Sequence, residues 1–341
     1  MTEHLYKILS KENLEPFSNS LKKSGRIFAP VKTSKESHSF KEVAHLKDAD
    51  LEYTRTMIPP KKFFISPSET IFTFNKEKEE YNEVSAINEP TVLFGVHPCD
   101  LNALNLLAKV YLESFTDKYY QTRREKTTII GISCTPDEHC FCKSMGTDYA
   151  MEGFELFLHD IGDRYLVRVG SLKGYKLLGE NSSLFSEVTE DDIRSYNEAE
   201  RNRLNAFTKH LEVSGLQDLL DMSYDSPIWE EYGDKCLSCG SCNLVCPRCR
   251  CYDVQDYLDL NMNTGERVRK WSSCMLQEHG LVAGGYNFRA TSKERLRNRI
   301  NCKGSLKEDM TNCVGCGRCS YYCPAGIDYV EILQKLRGEI N

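Results

Sequence analysis

Cysteine spacing sets the chemistry of this chain. Cys236, Cys239, Cys242 and Cys246 are followed by Pro247, and the run recurs as Cys313, Cys316, Cys319 and Cys323 before Pro324. Each copy reads C-x2-C-x2-C-x3-C-P. Thiolates are the soft ligands of iron–sulfur clusters. Three thiolates spaced by two residues wrap one face of a cube from a single loop. The fourth, followed by proline, points away and reaches the cube held by the other run. The spacing therefore assigns Cys236, Cys239, Cys242 and Cys323 to one [4Fe–4S] cluster. It assigns Cys313, Cys316, Cys319 and Cys246 to a second. Structural zinc takes two separated Cys/His pairs rather than a run of four.

A further group of cysteines lies upstream. Residues 91–96 (Thr-Val-Leu-Phe-Gly-Val) and 127–133 (Thr-Thr-Ile-Ile-Gly-Ile-Ser) read as buried strands. Between them Asp100 reads as an N-cap, and Leu101, Leu104, Leu107 and Tyr111 mark a helix. A strand–helix–strand unit runs its strands in parallel, so both C-terminal ends share one edge, where such sheets place ligands. Cys99 follows the first strand and Cys134 the second, and Cys140 and Cys142 lie in the next loop. The four are candidates for a third cluster. A set of buried thiols, a zinc site, or a reactive Cys99 thiolate at the helix N-terminus are the other readings. His97 and His139 read as loop or core histidines.

Cys249, Cys251 and Cys274 lie between the two runs. They are candidates to ligate another centre, to displace one of the ligands above, or to donate weakly to cluster sulfides. Cys302 is isolated and reads as bland. Gly240, Gly315 and Gly317 let backbone approach the cubes, with N–H groups donating to sulfides.

The elements that must position these groups are legible in part. Residues 11–24 read as a helix with Leu14, Phe17 and Leu21 on one face, stopped by Gly25. Segments 26–31, 61–65 and 70–74 read as short strands. Segments 154–158 and 165–169 read as a hairpin. Thr189 and Asp192 resemble a capping box ahead of a helix carrying Ile193, Leu204, Phe207 and Leu211. Asp225-Ser226-Pro227 is the expected boundary, and 228–232 a lead-in helix. Lys293, Arg295, Arg297 and Arg299 read as a solvated helical face. A docking surface for an acidic partner is the sharper reading of the same residues. Ile327, Val330, Leu333 and Leu336 read as a final amphipathic helix. The fold class expected is α+β: an N-terminal mixed α/β domain, residues 1–225, followed by a mainly helical, ferredoxin-like dicluster domain, residues 226–341.

Composition bounds the partners. The chain has 341 residues, 40% hydrophobic, and a net charge of −6. That is enough apolar sequence for two cores, and nothing in it suggests nucleic acid. The first residues lack the apolar core of a leader, and no apolar run approaches the ~18 residues of a membrane span. Sixteen cysteines without an export signal favour metal over disulfides. The expected location is the cytoplasm of an anaerobe or facultative anaerobe. No G-x-G-x-x-G, Walker lysine loop or C-x-x-C-H occurs, so flavin and nucleotide are expected on other chains.

Several motifs together carry a family resemblance. They are Thr56-Met-Ile-Pro-Pro-Lys-Lys, His97-Pro-Cys-Asp-Leu, Cys134 with Cys140-Phe-Cys142, Cys246-Pro-x-Cys-x-Cys, Gly265-Glu-Arg, Trp271-x-Ser-Cys-Met and Ala283-Gly-Gly. From about residue 50 onward the chain resembles the family of multi-[4Fe–4S] electron-transfer subunits found in anaerobic sulfite reductase and, as the beta subunit, in cytosolic sulfhydrogenases. The resemblance implies an electron-transfer subunit of a hetero-oligomer. It would relay electrons between a flavoprotein (FAD) that oxidises NAD(P)H and a terminal catalytic subunit. That terminus would be of sulfite reductase type, which is favoured, or a nickel–iron hydrogenase or heterodisulfide-reductase-type assembly. The resemblance also supports the third cluster at Cys99, Cys134, Cys140 and Cys142. Two other functions compete. In one the chain is itself a reductase, with a substrate-binding cluster near Cys249, Cys251 and Cys274. In the other it is a zinc-binding assembly module.

Overall fold

The computed structural model describes residues 5–35, 37–85, 89–307 and 310–340. Residues 1–4, part of the stretch read as lacking a leader, lie outside them. Twelve strands form two sheets: β1 (Tyr6–Ser10), β2 (Arg26–Ser34), β3 (Ser37–Glu42), β4 (Ser68–Asn75), β5 (Glu80–Glu83), β6 (Thr91–Val96), β7 (Thr127–Ile132), β8 (Leu156–Asp160), β9 (Arg164–Val169), β10 (Phe185–Ser186), β11 (Tyr252–Leu258) and β12 (Thr264–Trp271).

The larger sheet has the order β10-β1-β9-β8-β7-β6-β2-β3. Its centre is parallel, β2 to β6, β6 to β7 and β7 to β8. Its outer pairs are antiparallel. Side chains alternate across a strand, and both faces are covered. Val92, Phe94, Ile130, Ile132, Leu156 and Leu158 pack on one side, with Phe17 and Leu21 of the helix Leu14–Leu21. Leu93, Val96, Ile129 and Phe157 pack on the other, with Leu101, Leu104, Leu107 and Tyr111 of the helix Pro98–Leu112. Gly95, at φ 84, sits where the β6–β7 register slips between Phe94 and Val96. That one-residue bulge lets Val96 continue the face begun by Leu93.

A second core is helical. It joins Leu216, Leu219, Trp229, Tyr232, Leu296, Ile300, Val330, Leu333 and Leu336. These come from the helices Leu216–Met222, Ile228–Lys235, Ser292–Gly304 and Tyr329–Ile340. The fold is therefore mixed α and β, with the cysteine runs in its C-terminal part.

Several local expectations change. Residues 61–65 are not a strand: Pro60–Phe63 is a 3-10 helix, because Pro60 presets a helical φ at its first position. Asp100 is not an N-cap. His97 holds that position, Pro98 starts the helix, and Asp100 is in its first turn. The Thr189–Asp192 capping box is present, but its helix ends at Asn205, so Phe207 and Leu211 lie beyond it. A hairpin without a strand signal in the sequence, β11–β12, pairs with β4. All seven residues of β11 are exposed, so alternation is absent.

The basic stretch is the largest change. Arg295 and Arg299 are buried, and so is Lys303 on the same helix. They recur every four residues beside Leu296 and Ile300, which puts them on the inward face. Arg299 and Lys303 point at the cysteines, whereas Lys293 and Arg297 stay at the surface as expected.

Candidate metal centres

The two cysteine runs fold alike. Cys236 caps the helix Ile228–Lys235, and Gly240, at φ 79, starts the short helix Ser241–Leu244. In the second run Gly317, at φ 69, starts the short helix Arg318–Tyr321. The left-handed φ is open to glycine at little cost. The copies face each other, and Ser241 Oγ donates to the Tyr322 carbonyl at 3.1 Å.

Cys236, Cys239 and Cys242 line one apolar cavity together with Cys323, from the other run, and with Cys319. Cys239 is exposed, and Leu237 beside it is 67% exposed. The Ile327 N–H donates to Cys323 Sγ at 3.3 Å. A cavity walled by five thiols, with a backbone donor aimed at one sulfur, fits a [4Fe–4S] cluster, which needs four of them.

Cys313 has Cys319 and Cys316 as neighbouring charges. The Gly315 N–H donates to Cys313 Sγ at 3.4 Å. Burial, then the neighbouring Cys319, pushes the Cys313 thiol up to about 12. A metal core would take the proton's place. Cys246, expected with this group, has its thiol in hydrogen-bond reach of Cys249.

The N-terminal four are brought to one sheet edge. Cys142 is buried with Cys134 and Cys140 as its nearest charges. Cys99 is buried with Cys142 close by. Cys316 of the second run joins them, packed in one cluster with Cys99 and Cys142. Arg55 Nη2 donates to Cys140 Sγ at 3.4 Å and also pairs with Asp137. His97 stacks on Tyr53 with centroids 3.9 Å apart. Burial, then the charge of Arg318, brings it down to about 3, so it is a neutral core histidine. His139 is edge-on to Tyr321.

Cys249, Cys251 and Cys274 are also together. Cys249 is in hydrogen-bond reach of Cys246 and Cys251, and Cys251 of Cys274. Asn243 Nδ2 donates to Cys274 Sγ at 3.1 Å. The contact from Cys251, with that from Asn243, holds Cys274 down to about 6. Among the described residues no three Cys, His, Asp or Glu side chains surround a point that would hold a single metal ion. Cys302 is exposed.

The second run docks on the N-terminal cysteine loop. Phe141 N–H donates to the Gly315 carbonyl at 2.8 Å, and Thr147 Oγ1 to the Val314 carbonyl at 2.7 Å. A Cβ on Gly315 would stand 2.6 Å from Cys142 Cα, and one on Gly317 would stand 2.4 Å from the His139 carbonyl oxygen.

A model of the 4Fe-4S dicluster domain matches residues 235–327. The chain is 46% identical over 333 residues to sulfhydrogenase 2 subunit beta of Pyrococcus furiosus, across 97% of this chain and 98% of that protein. It belongs to the sulfhydrogenase beta-subunit family. A shorter likeness, 27% over 107 residues, reaches a dihydromethanophenazine:CoB–CoM heterodisulfide reductase subunit of Methanosarcina barkeri, across 31% of this chain and 24% of that protein. As a sulfhydrogenase-type beta subunit with a dicluster domain, the chain is an iron–sulfur electron-transfer subunit of a multi-subunit complex. No described helix is long and apolar enough to cross a membrane. Both cysteine runs, with Cys249, Cys251 and Cys274, fall within the matched residues; Cys99, Cys134, Cys140 and Cys142 fall outside them.

The sequence reading missed the charged groups around the thiols. They are Arg55, Lys61, Arg299, Lys303 and Arg318. Only Arg299 and Lys303 had a usable signal, the four-residue spacing with Arg295 beside two aliphatic residues.

Proposed function

We propose that this chain relays electrons between an NAD(P)H-oxidising flavoprotein subunit and a terminal hydrogenase-type subunit, with a sulfite reductase-type terminus as the alternative. Three [4Fe–4S] clusters would be held. Cys236, Cys239, Cys242 and Cys323 would hold the first. Cys313, Cys316, Cys319 and Cys246 would hold the second, and Cys99, Cys134, Cys140 and Cys142 the third. Bound there, such clusters supply one-electron redox chemistry.

The protein's own part is to hold the thiols, aim donors at them and control access. The Gly315 and Ile327 N–H groups and Arg55 donate to ligand sulfurs. Such donors stabilise the more negative, reduced state and raise the potential. Burial of the N-terminal group excludes water from it. The observation that carries the reading is the gradient of exposure. Cys239 opens to solvent beside exposed Leu237, while Cys99, Cys140 and Cys142 are buried. The first site is thus the point of exchange with a partner. The flavoprotein and the hydrogenase-type terminus rest on the family and on the sulfhydrogenase name of its Pyrococcus relative.

The test uses the isolated chain, purified anaerobically. Dithionite should bleach its iron–sulfur absorbance, and NAD(P)H alone should leave it unchanged until the flavoprotein subunit is added. Direct reduction by NAD(P)H, or turnover of a sulfur substrate by the isolated chain, overturns the relay.

A further inference from the structure

Lys61 is buried at 3% exposed. Its Nζ donates to the carbonyl oxygens of Cys249, at 3.1 Å, and Asn243, at 3.4 Å. It also lies 4.3 Å from the centroid of the Trp271 ring. The thiols of Cys249, Cys246 and Cys251 are its neighbours. Lys303 is equally buried, beside Cys246 and Cys249. Arg299, also 3% exposed, faces Cys242, Cys246, Cys319 and Cys249. Its Nε and Nη1 have no hydrogen-bond partner. Among the described residues, no ion pair joins any of these three to a carboxylate.

Buried charge must be compensated. Arg299 and Lys303 are cations at these thiols and call for a net negative group, and Lys61, which burial alone draws toward its neutral form, would keep its charge beside one. Neutral thiols do not provide it, and adjacent bare thiolates would repel each other. A metal–sulfur core bound by thiolates meets both demands, since it separates the sulfurs and leaves the whole anionic.

We propose that Cys249, Cys251 and Cys274 hold a further iron–sulfur centre, distinct from the three above. The elements support it. Cys249 and Cys251 leave the first run in a turn, and Cys274 follows β12, which lies on the opposite side of the hairpin. The hairpin register pairs Tyr252 with Trp271, so the chain ends carrying Cys251 and Cys274 are neighbours. The Ser272 N–H donates to the Cys251 carbonyl at 3.0 Å, which fixes that closure. Asn243 Nδ2, aimed at Cys274 Sγ, is a ready donor to a bound thiolate. Cys246 is left for the second run, so the new centre has three cysteine ligands and one iron without a protein thiolate. Cys242, a wall of the first site, has Cys249 and Cys274 among its neighbouring charges. The new centre therefore stands beside the first site.

The test is iron and acid-labile sulfide per chain on the full-length protein, purified anaerobically, with electron paramagnetic resonance in the reduced state. Parent, Cys251→Ser/Cys274→Ser and Lys61→Met are compared. The double variant should lose three to four irons per chain, on the order of one cluster, and keep the signals that depend on Cys236. Lys61→Met should keep the iron but shift one centre to a lower midpoint potential, because a buried cation favours the reduced state. Unchanged iron in the double variant, zinc in place of iron at the site, or no midpoint moved by Lys61→Met overturns the proposal. A failure of the relay reading looks different: NAD(P)H reduces the isolated parent directly, or the parent turns over a sulfur substrate.

Discussion

Arg318 Nη1 and Nη2 each lie 2.8 Å from a carboxylate oxygen of Asp100. Both side chains are buried. The pair joins the second cysteine run to the helix Pro98–Leu112, which carries Cys99 in its first turn, and Arg318 Nε also donates to the Thr56 carbonyl at 2.8 Å. A bidentate pair of this kind fixes orientation as well as charge.

Breaking that pair on one side strands a buried charge. Asp100→Ala should cost about 3–5 kcal/mol, read as a lowered thermal midpoint of the anaerobic protein. Asp100→Leu/Arg318→Met, which removes both charges, should recover much of the loss. A single variant as stable as the parent would mean the pair contributes nothing to docking the two parts.

Crossed ligation, as proposed, would make distant residues equivalent. Cys323→Ser should abolish the same paramagnetic signal as Cys236→Ser and leave the signal lost in Cys313→Ser. If Cys323→Ser instead matches Cys313→Ser, each run holds its own cluster, and the shared cavity has another meaning.

The N-terminal group has its own signature. Cys140→Ser/Cys142→Ser should lower iron by about four atoms per chain and spare the signals of both runs. Unaltered iron and reduced-state spectra would rule out a cluster at this sheet edge.

Iron removal should destabilise the fold. Arg299 and Lys303 are buried beside thiols, and stripping the metal leaves them with neutral neighbours. Binding free energy of this kind is folding free energy. Chelated protein should melt at least ~10 °C lower than loaded protein, equivalent to several kcal/mol in a chain of this size. Equal midpoints would show that the cations are compensated from elsewhere.

Gly317→Ala tests the contact at the His139 carbonyl. The added Cβ would meet that oxygen at 2.4 Å, in a left-handed backbone. Destabilisation above ~1 kcal/mol is expected from the φ alone, with more from the collision. Gly326→Ala, also at positive φ but with open space around it, is the control for backbone strain.

What the sequence discloses follows from how local each signal is. The cysteine runs are legible because ligand spacing is a short-range code. The strands 91–96 and 127–132 are legible because both faces are buried, which leaves unbroken apolar runs. β11 is not, since an exposed edge strand shows no alternation. The buried Arg299 and Lys303 escape a sequence reading because charge normally marks solvent. Their burial depends on thiols that reach them only through the tertiary fold. Lys61 reads as strand for a similar reason, as its partner carbonyls lie far along the chain.

The fit of Gly315 and Gly317 against Cys142 and His139 bears on biosynthesis. The sheet-edge cysteines leave the ribosome long before the segment that walls them in. Until residues 313–319 are made, Cys99 and Cys142 lack the cover that Cys316 and Val314 provide. A cluster held at that edge, as proposed, would therefore be closed over only once the second run has been made, and a chain cut short before it would leave that group open to solvent.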